Sequence, residues 1–494
     1  MERAAPLVEL DPSHGNDPGG AETHISVLLF AGARAYKLCK PVDVGFLDYS
    51  TRERRATALW RELEVNRRFA PDVYLDVVDL AGSDGTVHDH ALVMRRMPAE
   101  RRLAGLLGRP ETAALVREVA KAVAAIHAAA PRHPDADAAA SRDAVARNWA
   151  DNEAAIAPFV DSVLARGTFE AVGRDWRRYL AGRGPLFAAR VAAGHAVDGH
   201  GDLLAEDVFC LDDGPRILDC LAFDDQLRYG DALLDAAFLA MDLERLDGPA
   251  TADAFLDRYR EFSGEHHPGS LADHYIAYRA QVRAKVACLR AEQGDDEAAA
   301  DAADHLARCA RHLASCRVRL VLVGGTPGTG KSTLANELGE RRGWAVVRSD
   351  EVRKELSGMA ASEDATAPVG EGIYRAEVTA STYGELLRRA RALVELGESV
   401  VLDASWTDGG QRALARQLGE EAAADLVELQ VDAPPEVVAR RIAARRAAGG
   451  DASDATVEVA RHLREGRGPW PEATVVDTNR PLADSVEQAM TAIG

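Results

Sequence analysis

The sequence predicts two domains of different class: an α+β domain over residues 1–316, then an α/β domain with a parallel sheet over 317–494. Three observations predict it. At 494 residues the chain is long enough for more than one core, since domains average about 150. From 317 onward, short apolar strands alternate with helical stretches, the order that builds a parallel sheet. Before 317 the strands concentrate in a lobe of about 1–97, and the lobe of about 98–316 is mostly helical.

In chain order, HISVLLF and ARAYKL read as strands joined by the small-residue turn Ala31-Gly32-Ala33. STRERRATALWRELEVNRRFAP has helical periodicity, with Ser50 as its N-cap and Pro71 as its stop. VYLDVVDL and HALVMRRM are two more strands around a turn at Gly82 to Gly85. An alanine-rich helical stretch runs from 99 to about 190, broken at PRHPDADAA. Short strands and turns return over 197–225, and 230–315 is helical again, with EQGDDEAAADAADH read as an exposed helix face. The second domain then runs VRLVLVGG, helix, WAVVRSD, helices, SVVLDAS, helix, DLVELQVDA, helix, ATVVDT.

Lys and Arg total 59 against 79 Asp and Glu, a net charge of −20. That field repels a phosphate backbone, so no nucleic-acid partner is expected. No run reaches the ~20 apolar residues of a membrane span, and the acidic start has no signal-peptide core, so a cytoplasmic protein is expected. The six cysteines include no CxxC pair and read as reduced thiols, with Cys309 and Cys316 as core filler on one helix face.

The strongest motif is Gly325-Thr326-Pro327-Gly328-Thr329-Gly330-Lys331-Ser332-Thr333, a full GxxxxGK[ST] loop between a strand and a helix. Glycines let backbone N–H groups close round a phosphate, Lys331 spans the β- and γ-phosphates, and the Ser332 hydroxyl ligates Mg²⁺. Two acids follow at strand ends: Asp350 after WAVVRS, and Asp403 in VVLDAS, the latter on the type of strand that carries the Mg²⁺-associated acid. Asp350 serves as general base toward an acceptor hydroxyl, or as N-cap of EVRKELSG, and Arg353 one turn on is placed to hold a polar or anionic substrate. ARRIAARRAAGG suits a lid whose Arg441 and Arg445 meet the transferring phosphoryl group, or a solvated basic helix. The domain resembles the small P-loop kinases of the gluconate kinase, chloramphenicol phosphotransferase and zeta-toxin type.

In the first domain, His200-Gly201-Asp202 is followed by Asp207 and, across a hairpin turn at Asp212-Asp213-Gly214, by Asp219. Phosphoryl transfer needs a carboxylate near the acceptor hydroxyl and two further oxygen ligands for Mg²⁺. This constellation resembles the protein-kinase-like aminoglycoside phosphotransferase family, whose loop reads HGDxxxxN. The resemblance implies Asp202 as base and Asp207 and Asp219 as metal ligands, with Asp207 standing where the family has Asn. It also implies a phosphate-positioning pair of Lys37 with Glu62 (or Glu64), a hinge at 91–97, and, in the absence of GxGxxG, Ser26 and its neighbours over the phosphates. Ala222 stands where related chains often carry Glu. Asp231 and Asp235 fit an acidic cleft for a cationic acceptor, or helix capping.

ETHIS, AYKLCKPVDVGFLDYS, HGDLLAEDVF, FLAMDLERL and GTPGTGKST together resemble the bacterial bifunctional aminoglycoside phosphotransferase/ATP-binding fusion family. The function this implies is transfer of the ATP γ-phosphate, with Mg²⁺, to a hydroxyl of an amino sugar, aminoglycoside or other polar small molecule. The alternatives are a nucleotide-binding regulator with one active half, and a toxin-like kinase acting on a nucleotide-sugar.

Overall fold

The computed structural model describes residues 20–22, 25–43, 45, 47–360, 363, 372–448 and 456–494. Strands β1 (Gly20–Glu22), β2 (Ser26–Ala31), β3 (Arg34–Cys39), β4 (Tyr74–Ala81) and β5 (Val87–Arg95) form an antiparallel sheet of order β1-β2-β3-β5-β4. Gly32 at φ +54° turns β2 into β3, a left-handed position glycine takes without strain. Helix α1 (Arg52–Asn66) crosses this sheet and buries Leu59 and Leu63 against Ala35, Val77, Leu92 and Met94. The expected cap Ser50 is replaced by Thr51, whose side chain accepts from the Arg54 amide at 3.3 Å. Both residues carry a hydroxyl; Thr51 is the one immediately before the first helical turn.

The helical lobe runs α2 (Thr112–Ala129), α3 (Pro134–Ala139), α4 (Arg142–Ile156), α5 (Arg166–Ala181) and α6 (Gly184–Ala192). After β6 (Ala196–Asp198) comes the hairpin β7 (Val208–Leu211) and β8 (Gly214–Ile217), then β9 (Tyr229–Asp231), which pairs with β6. It continues through α7 (Ala232–Asp247), α8 (Pro249–Ser263), α9 (Gly269–Glu292) and α10 (Ala298–Ser315). The stretch expected as an exposed face is mostly exposed, with only Ala298, Ala302 and His305 turned inward at helical spacing and Leu306 continuing their row beyond it.

In the last part of the chain, β10 (Arg319–Gly324), β11 (Ala345–Arg348), β12 (Val400–Ala404), β13 (Asp425–Asp432) and β14 (Thr474–Asp477) form an all-parallel sheet of order β11-β12-β10-β13-β14. Helices α11 (Lys331–Arg342), α12 (Ser349–Leu356), α13 (Ala376–Glu395), α14 (Gly409–Glu421), α15 (Pro435–Ala448), α16 (Val457–Glu465) and α17 (Leu482–Ile493) connect and flank it. The near-continuous apolar runs of β10 and β12 fit strands covered on both faces.

The chain divides into two compact units that are not contiguous in sequence. One comprises residues up to Ala165 with Ala189–His267 and Tyr275–Cys309; the other comprises Arg166–Ala188, Pro268–His274 and Ala310–Gly494. Within the second, Arg183, in the link between α5 and α6, donates to the carbonyls of Ala422 (2.9 Å) and Ala423 (3.3 Å) and ties that link to the sheet. All six cysteines are buried free thiols, and no described helix is long and apolar enough to cross a membrane.

Each unit also buries a histidine held neutral. Burial lowers His274 to about 3; burial, reinforced by Arg283, Arg245 and Arg308, lowers His305 to about 4. Unfolded histidine takes up its proton near pH 6.5, so the stability these residues contribute is complete above that pH. It is lost as the pH falls toward their folded values, at about 1.4 kcal/mol per pH unit for each histidine. Urea midpoints of both units are therefore expected to be lower at pH 5 than at pH 7. His305→Gln should shrink that drop in the first unit only.

Candidate functional site

The first unit holds a cavity of about 1480 Å³ lined by Lys37, Glu62, Asp202, Asp207 and Asp219, with Ser26 and the chain after β5 on its walls. Lys37, on β3 opposite Leu92 of β5, reaches Glu62 Oε1 at 2.7 Å and Asp219 Oδ1 at 3.5 Å. Burial opposes the ammonium charge, but Glu62 and Asp219 outweigh it and hold the Lys37 pKa well above its usual value. Glu64 points the other way, exposed and paired with Arg61 at 2.8 Å. Spacing explains the choice: 55, 59, 62, 63 and 66 share the buried face of α1, and 64 does not.

Asp219 follows β8 in the left-handed region, φ +61°, with its amide donating to Tyr74 Oη at 2.9 Å. A non-glycine residue there is uncommon and aspartate tolerates it better than most. Its side chain is 64 % exposed and open to the cavity. Asp207 ends a single 3₁₀ turn (Ala205–Asp207), and its carbonyl accepts from Leu218 N at 2.9 Å. Burial, and then the carboxylates of Asp219 and Asp202, push Asp207 up to about 8. Asp202 is also raised, chiefly by burial.

Asp219 thus adds negative charge beside both Asp202 and Asp207, and a divalent cation bound among these carboxylates would relieve that repulsion. Among the described residues no three such side chains are close enough to hold a metal alone.

Asp235 and Asp231 lie elsewhere than an acceptor cleft: they are 4 % and 3 % exposed and fully committed. Asp235 accepts from the amides of His200 (2.6 Å) and Gly201 (2.8 Å) and from His127 Nε2 at 3.2 Å, so it carries the loop before Asp202. Gly199 leaves it room, since a Cβ there would come within 2.8 Å of Asp235 Oδ2. Asp231 caps α7 through Leu233 N (2.9 Å) and pairs with buried Arg190 at 2.6 Å. Asp231→Ala removes the cap and leaves Arg190 only Glu265 as counter-ion. A loss of about 3 kcal/mol in urea unfolding of this unit is expected, with Asp231→Asn losing less.

In the second unit the strand β10 runs into the glycine loop, and α11 begins at Lys331, which is buried. Gly328 and Gly330 have φ +82° and +94°, and the Thr329 hydroxyl donates to Thr326 O at 2.8 Å. Ser332 is half-buried and Thr333 exposed on the first turn of α11; Gly325 and Pro327 complete the loop. Asp403 on β12 lies opposite Arg348 of β11, with Oδ2 3.4 Å from its Nε. Its buried Oδ1 has no hydrogen-bond partner among the described residues and is left as an acceptor suited to metal-bound water.

Asp350 lies in the first turn of α12, neither at a strand end nor as N-cap: the helix starts at Ser349 and Arg348 occupies the cap. Arg353 is buried and donates to Ile373 O (3.1 Å) and Thr379 Oγ1 (3.0 Å), so it braces α12 against α13 instead of facing an open substrate site. Arg441 donates to Thr329 O (3.2 Å) and Thr478 O (2.7 Å), gripping the loop's backbone. The Arg445 side chain lies outside the described residues. Sequence reasoning missed three supports. They are Tyr74 under Asp219, Arg348 beside Asp403, and Trp470, whose ring would be 2.3 Å from a Cβ at Gly324. The RSD triplet held the only local signal, placing Arg348 at a strand end.

A lysine on an antiparallel sheet, a helix glutamate and a loop–hairpin bearing three aspartates define a protein-kinase-like fold. A glycine loop ending the central strand of a parallel sheet defines a P-loop fold. The AAA domain family matches residues 320–469. Over 470 residues the chain is 43 % identical to Uncharacterized protein Rv2004c of Mycobacterium tuberculosis, covering 95 % of this chain and 94 % of that one. The same figures hold for Uncharacterized protein Mb2027c of Mycobacterium bovis. The chain belongs to the family of these proteins. Among solved structures, a choline/ethanolamine kinase family protein from Mesorhizobium loti is 16 % identical, over 62 % of this chain and 93 % of that one, with TM-score 0.40. A sugar kinase from Janibacter sp. is 20 % identical over 36 % of this chain and 94 % of that one, with TM-score 0.28.

Proposed function

We propose that the chain is an ATP-dependent phosphotransferase with two sites, each moving the γ-phosphoryl group to a hydroxyl of a small molecule. The observation that supports this best is the single cavity in which Lys37 bridges Glu62 and Asp219 while Asp202 and Asp207 line the same walls. Lys37 orients the α- and β-phosphates, with Glu62 fixing its ammonium, and Ser26 and its neighbours cover them. Asp202 takes the acceptor's proton. Asp207 and Asp219 here, and Ser332 with Asp403 in the second unit, would hold Mg²⁺, which would supply charge neutralisation on the phosphates.

In the second unit the loop amides and Lys331 cradle the phosphates, Arg441 keeps the loop shaped, and half-buried Asp350 acts as base. The family resemblance points to an amino sugar or aminoglycoside as first-unit acceptor. Six buried free thiols fit work in the reducing cytoplasm.

The test incubates the protein, Asp202→Asn and Lys331→Ala with ATP, Mg²⁺ and pooled sugars, aminoglycosides and polar metabolites. Mass spectrometry then seeks a gain of one phosphate. A product lost in one variant alone assigns acceptor and unit together. Nucleotide binding without any product would leave a regulator in place of an enzyme.

A further inference from the structure

On α9, near the proposed base of the first unit, lies Arg283, a cation that no carboxylate among the described residues reaches at ion-pair distance. Arg279 of α9 donates its Nε to Leu234 O at 3.1 Å, lies 4.6 Å from the Phe238 ring centre and comes within 3.9 Å of Asp235 Oδ1. That same oxygen accepts from Gly201 N, next to Asp202. Arg279 is therefore fixed beside the loop that carries Asp202. Arg283 is one turn further along, and residues four apart share a helix face about 6 Å from each other. Burial pushes the Asp202 carboxyl up, and of the charges that oppose this Arg283 acts most strongly, ahead of His200 and Arg279.

The neighbouring arginines each have a carboxylate partner. Arg245 pairs with Asp242 at 2.8 Å and Arg308 with Glu244 at 2.7 Å, while Arg279 has Leu234 and Asp235. Among the described residues Arg283, half-buried, makes no hydrogen bond and no ion pair. A guanidinium never gives up its charge and presents five donors in a planar fork matched to carboxylate or phosphate oxygens. The acids that would have drawn a cation, Asp231 and Asp235, are committed to Arg190 and to the loop amides.

We infer that Arg283 binds an anionic group, a carboxylate or a phosphate monoester, on the molecule whose hydroxyl faces Asp202. The first unit's acceptor is then a hydroxylated anion and not a polycationic amino sugar. This rests on the phosphotransferase reading of that unit and replaces the amino-sugar acceptor that the family resemblance suggests. In the step itself the acceptor oxygen bonds to the γ-phosphorus as the bond from that phosphorus to the β,γ-bridging oxygen breaks. The hydroxyl proton passes to Asp202 and the electron pair leaves on the nucleoside diphosphate.

The test offers the full-length protein, with ATP and Mg²⁺, three separate pools: sugar acids and hydroxy acids, sugar monophosphates, and neutral sugars with amino sugars. Product is expected from one of the two anionic pools, and which one separates carboxylate from phosphate. Arg283→Gln should raise KM for that acceptor about tenfold to a hundredfold with little change in kcat. Arg283→Lys should recover part of it, keeping charge but losing the fork. Transfer to the neutral or amino-sugar pool, indifferent to Arg283→Gln, would overturn the inference and leave the phosphotransferase standing. So would a fall in kcat with a shifted pH profile and unmoved KM, the mark of a residue that only tunes Asp202. Absence of product from every pool, in the parent and in Asp202→Asn alike, would sink the phosphotransferase reading and this inference with it.

Discussion

Asp202→Asn is expected to lower phosphoryl transfer by the first unit roughly 10²- to 10⁴-fold while nucleotide binding changes little. The amide matches the carboxylate in size but cannot take the acceptor's proton, and loses the charge that would favour doing so. The loop that presents residue 202 is fixed by backbone contacts the substitution leaves alone: His200 and Gly201 amides on Asp235, and His200 Nε2 with Leu218 O at 2.9 Å. Removing one of three mutually repelling acids also spares Asp207 and Asp219 part of their repulsion, so affinity for a metal-bound nucleotide has no reason to fall. Turnover by product mass and nucleotide affinity by calorimetry separate the two quantities. Unchanged turnover would remove Asp202 as base. A parallel loss of affinity would make its role one of holding the site.

Features set by local periodicity were the legible ones. The GxxxxGK[ST] loop needs only a strand before it and a helix after it, and both carry their own patterns. Glu62 over Glu64 was also legible, since the buried stripe of α1 includes 62, although reading the pair alone left both open. The failures share a cause: the deciding partner is remote. Asp231 and Asp235 look alike in GDALLDAAF, yet what buries one is Arg190, 41 residues away, and what holds the other includes His127, 108 away. Arg353 is taken up by Ile373 and Thr379 for the same reason. Nor does an alanine-rich helix declare whose core it joins, and α5 belongs with the parallel sheet through Arg178 on Asp425 at 2.8 Å. Arg283 is the reverse case: that no described residue bonds to it only has meaning once every neighbouring arginine has been given a partner.

Lys331→Ala is expected to cut transfer by the second unit roughly 10²- to 10³-fold, the cost of removing one preorganised charge from a developing phosphoryl transition state. Lys331 is the first residue of α11 and is buried, so its ammonium is held at the loop by the same backbone that aligns the amides. Alanine is a strong helix former and keeps α11 intact, so the loss should appear without unfolding, which a melting curve checks. Nucleotide affinity at this site should fall too, because the lysine contacts the ground-state phosphates as well as the moving one. First-unit turnover on its own acceptor should be unaffected, since no residue of the Lys37–Glu62–Asp219 cluster belongs to the second unit. If Lys331→Ala silences both activities, the two sites do not work independently, and the first unit must depend on nucleotide bound at the second. Equal loss of both with normal melting would mean coupling; loss of both with a collapsed melting curve would mean a folding defect, for which Lys331→Arg is the control.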